Sequence, residues 1–452
     1  MPKSMLLRSK KKIKPIDERE MVSEFKKGNL SGFHNWIKKY DKAIKRQLIA
    51  EGWSYETTSQ RTVIFTFGEV TFRRMGYKRN GKWRYPVDER LGIEKHSRHS
   101  RELLYQVARL STLMPYRKVT EVVEMVYNVY ITKDTVSKAV STAARLFNER
   151  DEYKYYQEDV PVEKIKSNVI YIEGDGVMVR TTSGDRHWTD LAHFVVHTGS
   201  VQVTEGKSPR WELQNKREII SVSHEDAIDK LKTCLDNFYD LIPETILITN
   251  SDMGKGYGIK VFKNIARLFE IERHEHFYDK YHFNKDIKRF FKKQDERLTK
   301  MIFDGIKKHE KKDVRMALDL VDPDLMRDKE WEEFSKFSRR LLNNFQYTTP
   351  AEKRGLTNRG IGIMESQHRK ITYRMKNNGM YWGINGAEVM SRMIIENSEK
   401  ILRELFFGDW REEFEYYTEL PDNLYEYLKP VHEDYTPPTG RLRLPSGKNS
   451  RY

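Results

Sequence analysis

The chain has 452 residues, with 82 lysines and arginines against 67 aspartates and glutamates, and a formal net charge of +15 at pH 7. The single cysteine, Cys234, excludes an intramolecular disulfide framework and a cysteine-based zinc site. No run of about 18 apolar residues predicts a membrane span. We therefore expect an intracellular protein of two to four domains, and its charge favours a polyanionic partner, most simply nucleic acid.

The N-terminal part is predicted to begin with a basic tail and helices over residues 1–60. Apolar side chains recur at three- and four-residue spacing in residues 16–50, which is typical of a helix. Residues 61–98 are rich in β-branched and aromatic residues and predict a small antiparallel sheet. This sheet is basic, and its candidate DNA contacts are Arg73 and Arg74.

Residues 99–160 are predicted to be helical and to resemble a helix-turn-helix. A helix that begins at Tyr116 is followed by a short break, and Thr132 is a good N-cap for a second, short helix with a polar face. In a helix-turn-helix the second helix enters the major groove of DNA. Plain helical packing is the alternative. The candidate DNA contacts are Lys133, Thr135, Ser137 and Lys138.

The pattern changes to that of a mixed α/β domain over residues 161–280. Three strand patterns precede an amphipathic helix that begins at His224, and a short buried strand over residues 245–250 precedes a further βα step. Residues 281–350 are predicted to be a helical, strongly charged insertion, in which Lys288 and Arg289 are candidate DNA contacts.

The C-terminal part is predicted to complete the α/β domain with helices over residues 351–410. A tail follows over residues 411–452, and its last sixteen residues are basic and rich in proline and glycine. Either terminal tail could follow DNA phosphates or simply increase solubility.

Three acidic residues stand apart from the ordinary surface acids. Asp175 lies in a mostly apolar strand between Gly174 and Gly176, and buried carboxylates are rare unless they are paired or bind a cation. Asp252 ends a buried strand, at the edge where α/β sheets gather ligand sites. Glu365 lies at the start of a predicted helix.

Carboxylates that converge on one point suit chemistry on phosphodiesters. Magnesium prefers carboxylate oxygens, and two such ions about 3.5–4 Å apart can clamp the attacking and leaving oxygens of a phosphoryl displacement. Each acid alone is a weak signal, because a lone aspartate at a strand end is more often a turn cap or a salt-bridge partner. The ordered set is more informative, because the helix after Glu365 carries four basic residues and no acid: Arg369, Lys370, Arg374 and Lys376.

These residues fall in segments that resemble a known family. The sequence resembles the Asp-Asp-Glu transposases of bacterial insertion sequences, most of all the ISLre type, which is related to the Mutator-like transposases. The likeness extends from about residue 60 to residue 400. The segments that carry it are Tyr171–Val179, Thr249–Gly254, His276–Lys285, Gly362–Arg369 and Tyr373–Gly383, with Phe67–Arg74 and Leu91–Ile93 towards the N-terminus.

The resemblance implies an RNase H-like catalytic domain with a mainly helical insertion. Asp175 would lie on its first strand, Asp252 would close its fourth strand and Glu365 would lie on a helix, and together they would hold two Mg²⁺ or Mn²⁺ ions. The implied reaction is cleavage and strand transfer of double-stranded DNA at the ends of the element and at the target. The family also implies a homo-oligomer on DNA, in the bacterial cytoplasm and associated with the nucleoid, without a membrane.

Three further residues are candidate accessory groups. Asp279 and His282 match the Asp-x-x-His signature of the Mutator-like relatives, although they could simply orient the sheet edge or the insertion. Trp382 could stack on an unpaired base or belong to the core. Two other functions are compatible with the sequence: an RNase H-like metal-dependent DNA nuclease or resolvase, and a non-catalytic DNA-binding regulator derived from a transposase.

Overall fold

The computed structural model describes residues 18–156, 163–182, 187–206, 209–357 and 361–419. Within these ranges, no helix is long and apolar enough to cross a membrane. The predicted basic stretch at residues 1–15 and the proline-rich stretch from residue 437 lie outside the described residues. The chain divides into two compact units, one ending at Thr142 and the other beginning at Ala143.

The first unit combines a long helix, a three-stranded antiparallel sheet and short helices. The predicted helix over residues 16–50 is present, but the first strand begins at Ser54 rather than near residue 61. Its first residues are polar, and they become a strand through pairing with the next strand, as in Ser54 with Lys78. The elements are α1 (Glu18–Ala50), β1 (Ser54–Phe65), β2 (Gly68–Arg79), β3 (Lys82–Arg84), α2 (Pro86–Arg90), α3 (Arg101–Ser111) and α4 (Tyr116–Tyr127).

The second helix of the predicted helix-turn-helix is much longer than expected. It is α5 (Lys133–Tyr156), with 24 residues, and it extends across the boundary between the units. Thr132 caps it as predicted, because Thr132 Oγ1 accepts a hydrogen bond of 3.4 Å from the Thr135 N–H. The helix continues because apolar residues recur at helical spacing, from Val136 to Phe147, and are buried.

The second unit contains a five-stranded mixed sheet. Its strands lie side by side in the order β12 (Arg273–Tyr278), β11 (Ile246–Ser251), β5 (Val169–Arg180), β6 (Trp188–His197) and β9 (Arg217–Ser221). In this sheet β6 is antiparallel to both β5 and β9, whereas β11 is parallel to both β5 and β12. Two small strand pairs, β4 with β10 and β7 with β8, lie outside it. The strands are β4 (Ile165–Lys166), β5 (Val169–Arg180), β6 (Trp188–His197), β7 (Gly199–Gln202), β8 (Trp211–Gln214), β9 (Arg217–Ser221), β10 (Tyr239–Asp240), β11 (Ile246–Ser251) and β12 (Arg273–Tyr278).

Helices cover the sheet and form the insertion. One core joins the sheet to α6 (His224–Phe238) and α7 (Ile259–Leu268). The predicted insertion has its own aromatic core, which includes Phe283, Phe290 and Phe334. Its helices are α8 (Lys280–Phe290), α9 (Glu296–Lys308), α10 (Lys311–Asp319) and α11 (Asp328–Asn343). The second unit is therefore a mixed α/β domain, with a helical insertion between β12 and the helix that begins at Met364.

The C-terminal helices differ from the sequence expectation in two places. The helix predicted between residues 386 and 406 is two helices, because Lys400 adopts a left-handed backbone conformation (φ +64°) between them. The predicted tail over residues 411–452 begins with helical residues. The helices are α12 (Met364–Met375), α13 (Ile384–Ser398), α14 (Leu402–Phe407) and α15 (Trp410–Glu419).

Candidate functional site

The two candidate aspartates emerge side by side at one edge of the five-stranded sheet. Ser251 of β11 pairs with Gly174 of β5 in a parallel ladder, so the next residues along the two strands are Asp252 and Asp175. Asp175 lies on the first strand of this sheet in chain order, and Asp252 directly follows the fourth. The parallel ladder thus places Asp252, the residue after the end of β11, beside Asp175 in the middle of β5.

The electrostatics of the site couple the two aspartates. Burial, opposed by the positive His282 and assisted by the negative Asp252, raises the pKa of Asp175 to about 6. Each carboxylate also accepts one local backbone hydrogen bond, Asp175 Oδ1 from Gly176 N at 2.8 Å and Asp252 Oδ1 from Gly254 N at 2.7 Å. Both acids therefore keep further oxygen lone pairs for a ligand.

The Asp-x-x-His residues form a tight pair beside Asp175. Asp279 is the N-cap of α8 and accepts a hydrogen bond of 2.5 Å from His282 Nδ1. This bond, together with the nearby carboxylates, raises the pKa of His282 to about 9, so the side chain is an imidazolium at neutral pH. His282 Nε2 lies 3.7 Å from Asp175 Oδ2. A protonated imidazole cannot bind a metal, and instead it holds a fixed positive charge against Asp175.

A second histidine lies beside the same oxygen of Asp175. His368 on α12 is buried, and its Nδ1 lies 3.7 Å from Asp175 Oδ2. Burial, reinforced by the charges of neighbouring basic groups, holds the pKa of His368 well below its usual range, so this ring is neutral. His368 stacks on His193 (ring centroids 5.2 Å apart), and His193 Nε2 lies 3.1 Å from Glu218 Oε2. Asp175 is thus connected through two stacked rings to a buried carboxylate on β9.

Glu173 is a further carboxyl group on β5, the strand that carries Asp175, and it is buried. It is 1% exposed, and burial is the main cause that raises its pKa to about 8. Its oxygens accept hydrogen bonds from Asn250 Nδ2 at 2.9 Å, Gly362 N at 2.8 Å and Ile363 N at 3.1 Å. Glu173 therefore joins β5 to β11 and to the start of α12.

Glu365 is not joined to the aspartates. It is exposed on the first turn of α12, one turn before His368. Among the described residues, no hydrogen bond or ion pair connects Glu365 to Asp175 or Asp252. The residue of α12 that contacts Asp175 is His368.

Asp175 and Asp252 have the donor chemistry for a hard divalent cation. They supply carboxylate oxygens, which Mg²⁺ and Mn²⁺ prefer, and the charge of Asp252 adds to burial in raising the pKa of Asp175. No ready-made group of three metal-binding side chains is present in the described part of the chain. The two aspartates therefore fit a divalent ion, whereas Glu365 does not complete a set with them.

An Asp–His pair lies on the other face of β5 and β6. Asp190 Oδ2 lies 3.3 Å from His224 Nε2, and burial and the charge of Asp252 raise the pKa of Asp190. Gly176 makes room for this acid, since a Cβ at Gly176 would lie 2.2 Å from Asp190 Oδ1. The second glycine beside Asp175 is therefore required by close packing.

Four predicted DNA contacts are internal and need correction. Arg74 pairs with the buried Asp88, and Thr135 is buried with its Oγ1 near His99. Lys370 pairs with Glu218, and Arg374 is 4% exposed with its guanidinium over the Trp382 ring. These side chains stabilise the protein from within, because burial and internal partners keep them from a DNA backbone.

The other predicted contacts lie at the surface. Arg289 also pairs with Glu333 at 3.4 Å. Trp382 belongs to the core and is not free to stack on a base, since it is 8% exposed and its Nε1–H donates to Met375 O at 3.0 Å. The exposed candidates are Arg73, Lys133, Ser137, Lys138, Lys288, Arg289, Arg369 and Lys376.

The sequence contained usable signals for two residues that the prediction missed. Glu173 lies two residues before Asp175, so strand alternation places both acids on the same face, and the argument that buried carboxylates are rare applies to both. His368 lies three residues after Glu365, which places it on a neighbouring part of the helix surface. His193 and Glu218 gave no such signal, since their roles depend on contacts between distant segments.

Comparisons with known proteins place the chain in a family. A model of UPF0236, described as an uncharacterised protein family, matches residues 18–412. The chain is 28% identical over 444 residues to the UPF0236 protein in the vanSb 3′ region of Streptococcus gallolyticus, covering 96% of this chain and 94% of that protein. The chain is 10% identical to the Drosophila P element transposase strand transfer complex, over 76% of this chain and 92% of that chain. The TM-score of 0.25 is too low for this likeness to carry an argument. The chain belongs to the UPF0236 family.

Proposed function

We propose that the protein is a DNA transposase of the ISLre type, which cleaves DNA at the ends of an insertion sequence and transfers the strands to a target. The observation that carries the proposal is the pair Asp175 and Asp252, which lie side by side where β11 ends against the middle of β5; burial and the charge of Asp252 raise the pKa of Asp175. A divalent cation bound by both carboxylates would offset their repulsion, and phosphoryl transfer with divalent metals uses such a cation.

The arrangement of the strands supports an RNase H-like assignment. An RNase H-like site requires the first strand and the end of the fourth strand to be neighbours, and β5 and β11 are neighbours here. The helix α12 packs against β5 and carries Glu365 on its first turn. In the proposed assembly a rotation of the exposed Glu365 side chain, with the start of α12 in place, would supply the third carboxylate.

The residues of the site divide the chemical work. Asp175 and Asp252 would hold divalent ions, which supply positive charge to the attacking and leaving oxygens of a phosphodiester. The imidazolium of His282, held by Asp279, is positioned to attract a non-bridging phosphate oxygen as the DNA enters. The neutral His368 packs against Asp175 and limits the orientations of its carboxylate.

The exposed basic residues provide contacts for the DNA backbone. Arg369 and Lys376 lie on and just after α12, the helix that contacts Asp175, and Lys288 and Arg289 lie on α8, the helix that carries His282. Phosphate contacts of this kind position DNA without reading its sequence. The proposal includes assembly of two or more copies on DNA, since two element ends are joined to one target, and activity in the bacterial cytoplasm.

A strand-transfer assay tests this proposal. The full-length protein is incubated with Mg²⁺ or Mn²⁺, a labelled linear DNA that carries the sequences flanking its own reading frame, and a supercoiled target plasmid. We expect metal-dependent nicks at defined positions and joined products, and we expect Asp175→Ala and Asp252→Ala to reduce both to background. Asp304→Ala, at an exposed aspartate on α9, is the matched control and should retain activity.

The possible outcomes separate the three functions. Nicks without joined products would assign the protein as a nuclease or resolvase. Sequence-specific binding without nicks, unchanged in Asp175→Ala, would assign a DNA-binding regulator. Equal cleavage and joining by the wild type and Asp175→Ala would refute the catalytic role of the aspartate pair.

A further inference from the structure

One buried carboxyl group ties together the three segments that carry the candidate catalytic acids. Glu173 lies on β5, Asn250 lies opposite it on β11, and Ile363 immediately precedes α12. Asn250 Nδ2 and the backbone N–H groups of Gly362 and Ile363 all donate to the two oxygens of Glu173, at 2.8–3.1 Å for the shortest contact of each. Glu173 is 1% exposed, so the acceptor oxygens lie inside the protein, although Gly362 is at the surface.

The same two-residue spacing along the chain separates each of Glu173, Asn250 and Ile363 from one of the acids. Asp175 follows Glu173 by two residues, Asp252 follows Asn250 by two, and Glu365 follows Ile363 by two. A shift of one strand or of the helix start relative to Glu173 would therefore displace one acid with respect to the other two. The carboxyl group is placed to fix the relative positions of all three acids.

We propose that Glu173 is a positioning residue, whose single carboxyl group sets the geometry of the Asp175, Asp252 and Glu365 acids. The inference rests on the proposed function, and it gives the glutamate a role beyond ordinary packing. A hydrocarbon in its place would fill the space but leave Asn250 Nδ2 and the two backbone N–H groups without this acceptor. A glutamine would keep the acceptor oxygen for the two backbone N–H groups, and its amide group can donate to Asn250 Oδ1, which is buried without a hydrogen-bond partner among the described residues.

The experiment compares Glu173→Ala and Glu173→Gln in the full-length protein, with Val196→Ala as the control. Val196 is fully buried in β6 of the same sheet and is remote in sequence from the acids, so its truncation reports the effect of lost stability alone. Three quantities are measured: hydrogen exchange of the Gly362 and Ile363 amides, Mn²⁺ binding by electron paramagnetic resonance, and kcat and KM for metal-dependent DNA cleavage.

We expect Glu173→Ala to expose the two amides to exchange, to weaken Mn²⁺ binding and to lower kcat by about 10²-fold with little change in KM, because small displacements of catalytic groups are costly. Glu173→Gln should remain close to the wild type in all three measurements. If Glu173→Ala does not fold, Asn250→Ala removes only the hydrogen bond from Asn250 Nδ2 to Glu173. This variant should lower kcat by about tenfold, with the exchange of the Gly362 amide unchanged.

Two results would overturn the inference without affecting the proposed function. In one, Glu173→Ala keeps the kcat and Mn²⁺ affinity of Val196→Ala. In the other, Glu173→Gln loses kcat as fully as Glu173→Ala, which would show that the hydrogen-bond geometry is not what matters. If the wild type neither binds Mn²⁺ nor cleaves DNA, the proposed function fails and the positioning role fails with it, whereas hydrogen exchange still reports whether Glu173 holds the start of α12.

Discussion

Two buried glutamates in the same sheet take opposite charge states. Glu173 on β5 has a pKa raised to about 8 by burial, and its partners are an amide and two backbone N–H groups. Glu218 on β9 is as fully buried, with 0% of its side chain exposed. Burial opposes its ionisation too, but the hydrogen bond from His193 and the charges of His193, Lys370 and Lys216 hold the pKa of Glu218 well below its usual range.

The difference shows that partners, rather than depth, decide the charge of a buried acid. Neutral donors stabilise an anion only partly, so Glu173 keeps its proton and acts as a hydrogen-bond connector. Two lysines and a hydrogen bond from His193 stabilise the Glu218 anion, so it acts as the centre of an ion cluster that also binds α12 through Lys370. The two glutamates thus attach the same helix to the sheet by different chemistry.

The largest effect is expected at the ion cluster. Glu218→Gln removes the charge that Lys216 and Lys370 share, and the loss of one partner from a buried ion pair should lower the free energy of unfolding by about 3 kcal/mol. Urea unfolding at pH 7 measures the change. Glu332→Gln, at an exposed pair with Lys336, is the control and should have no measurable effect. An unfolding free energy of Glu218→Gln equal to that of the control would contradict the cluster.

A smaller effect, with a defined sign, is expected from the pH dependence of Glu173. Its folded-state pKa is raised, so the native state holds a proton that the unfolded state releases above about pH 4.5, and the contribution of Glu173 to stability is lost as the pH rises towards 8. Relative to Glu173→Gln, the wild type should lose up to about 1.4 kcal/mol per pH unit over this range. Urea unfolding of both proteins at pH 5.5, 7 and 8.5 gives the difference, and parallel pH profiles would show that Glu173 is ionised throughout.

The smallest effects separate an internal lysine from its exposed neighbour. Lys370→Met should lower the free energy of unfolding by about 1.5 kcal/mol, because a hydrogen bond to a charged carboxylate is lost, and should leave the salt dependence of DNA binding unchanged. Arg369→Met should leave stability unchanged and reduce the slope of log K against log salt concentration by about 1. The reverse pattern would place Lys370, and not Arg369, on the DNA.

The strands that carry Asp175 and precede Asp252 could be predicted because both depend on local patterns. The mostly apolar segment around Asp175 and the short apolar run before Asp252 identify the two strands, and their parallel pairing places the two aspartates side by side, whereas the catalytic role of the aspartates stays a prediction. The helical insertion was also predicted correctly, since its charged helices have clear helical periodicity.

The internal partners could not be predicted, because each depends on which distant segment lies beside it. Arg74 and Lys370 look like surface residues in sequence, and only the folded chain brings Asp88 and Glu218 to them. Thr135 follows an N-cap and was assigned to the polar face, yet it lies on the buried side of α5. The connection of His368 through His193 to Glu218 spans three separate elements and has no pattern in any one of them.

The helical insertion is attached to the sheet at two fixed points. It begins beside Asp279, whose backbone N–H donates to Ser251 O, and after it the chain returns to the sheet at Arg354, whose guanidinium donates to His276 O at 2.7 Å. The entropic cost of closing a longer loop between fixed ends grows only slowly with its length. A change in the number or length of the helices between these points would therefore cost little and would leave Asp175 and Asp252 side by side.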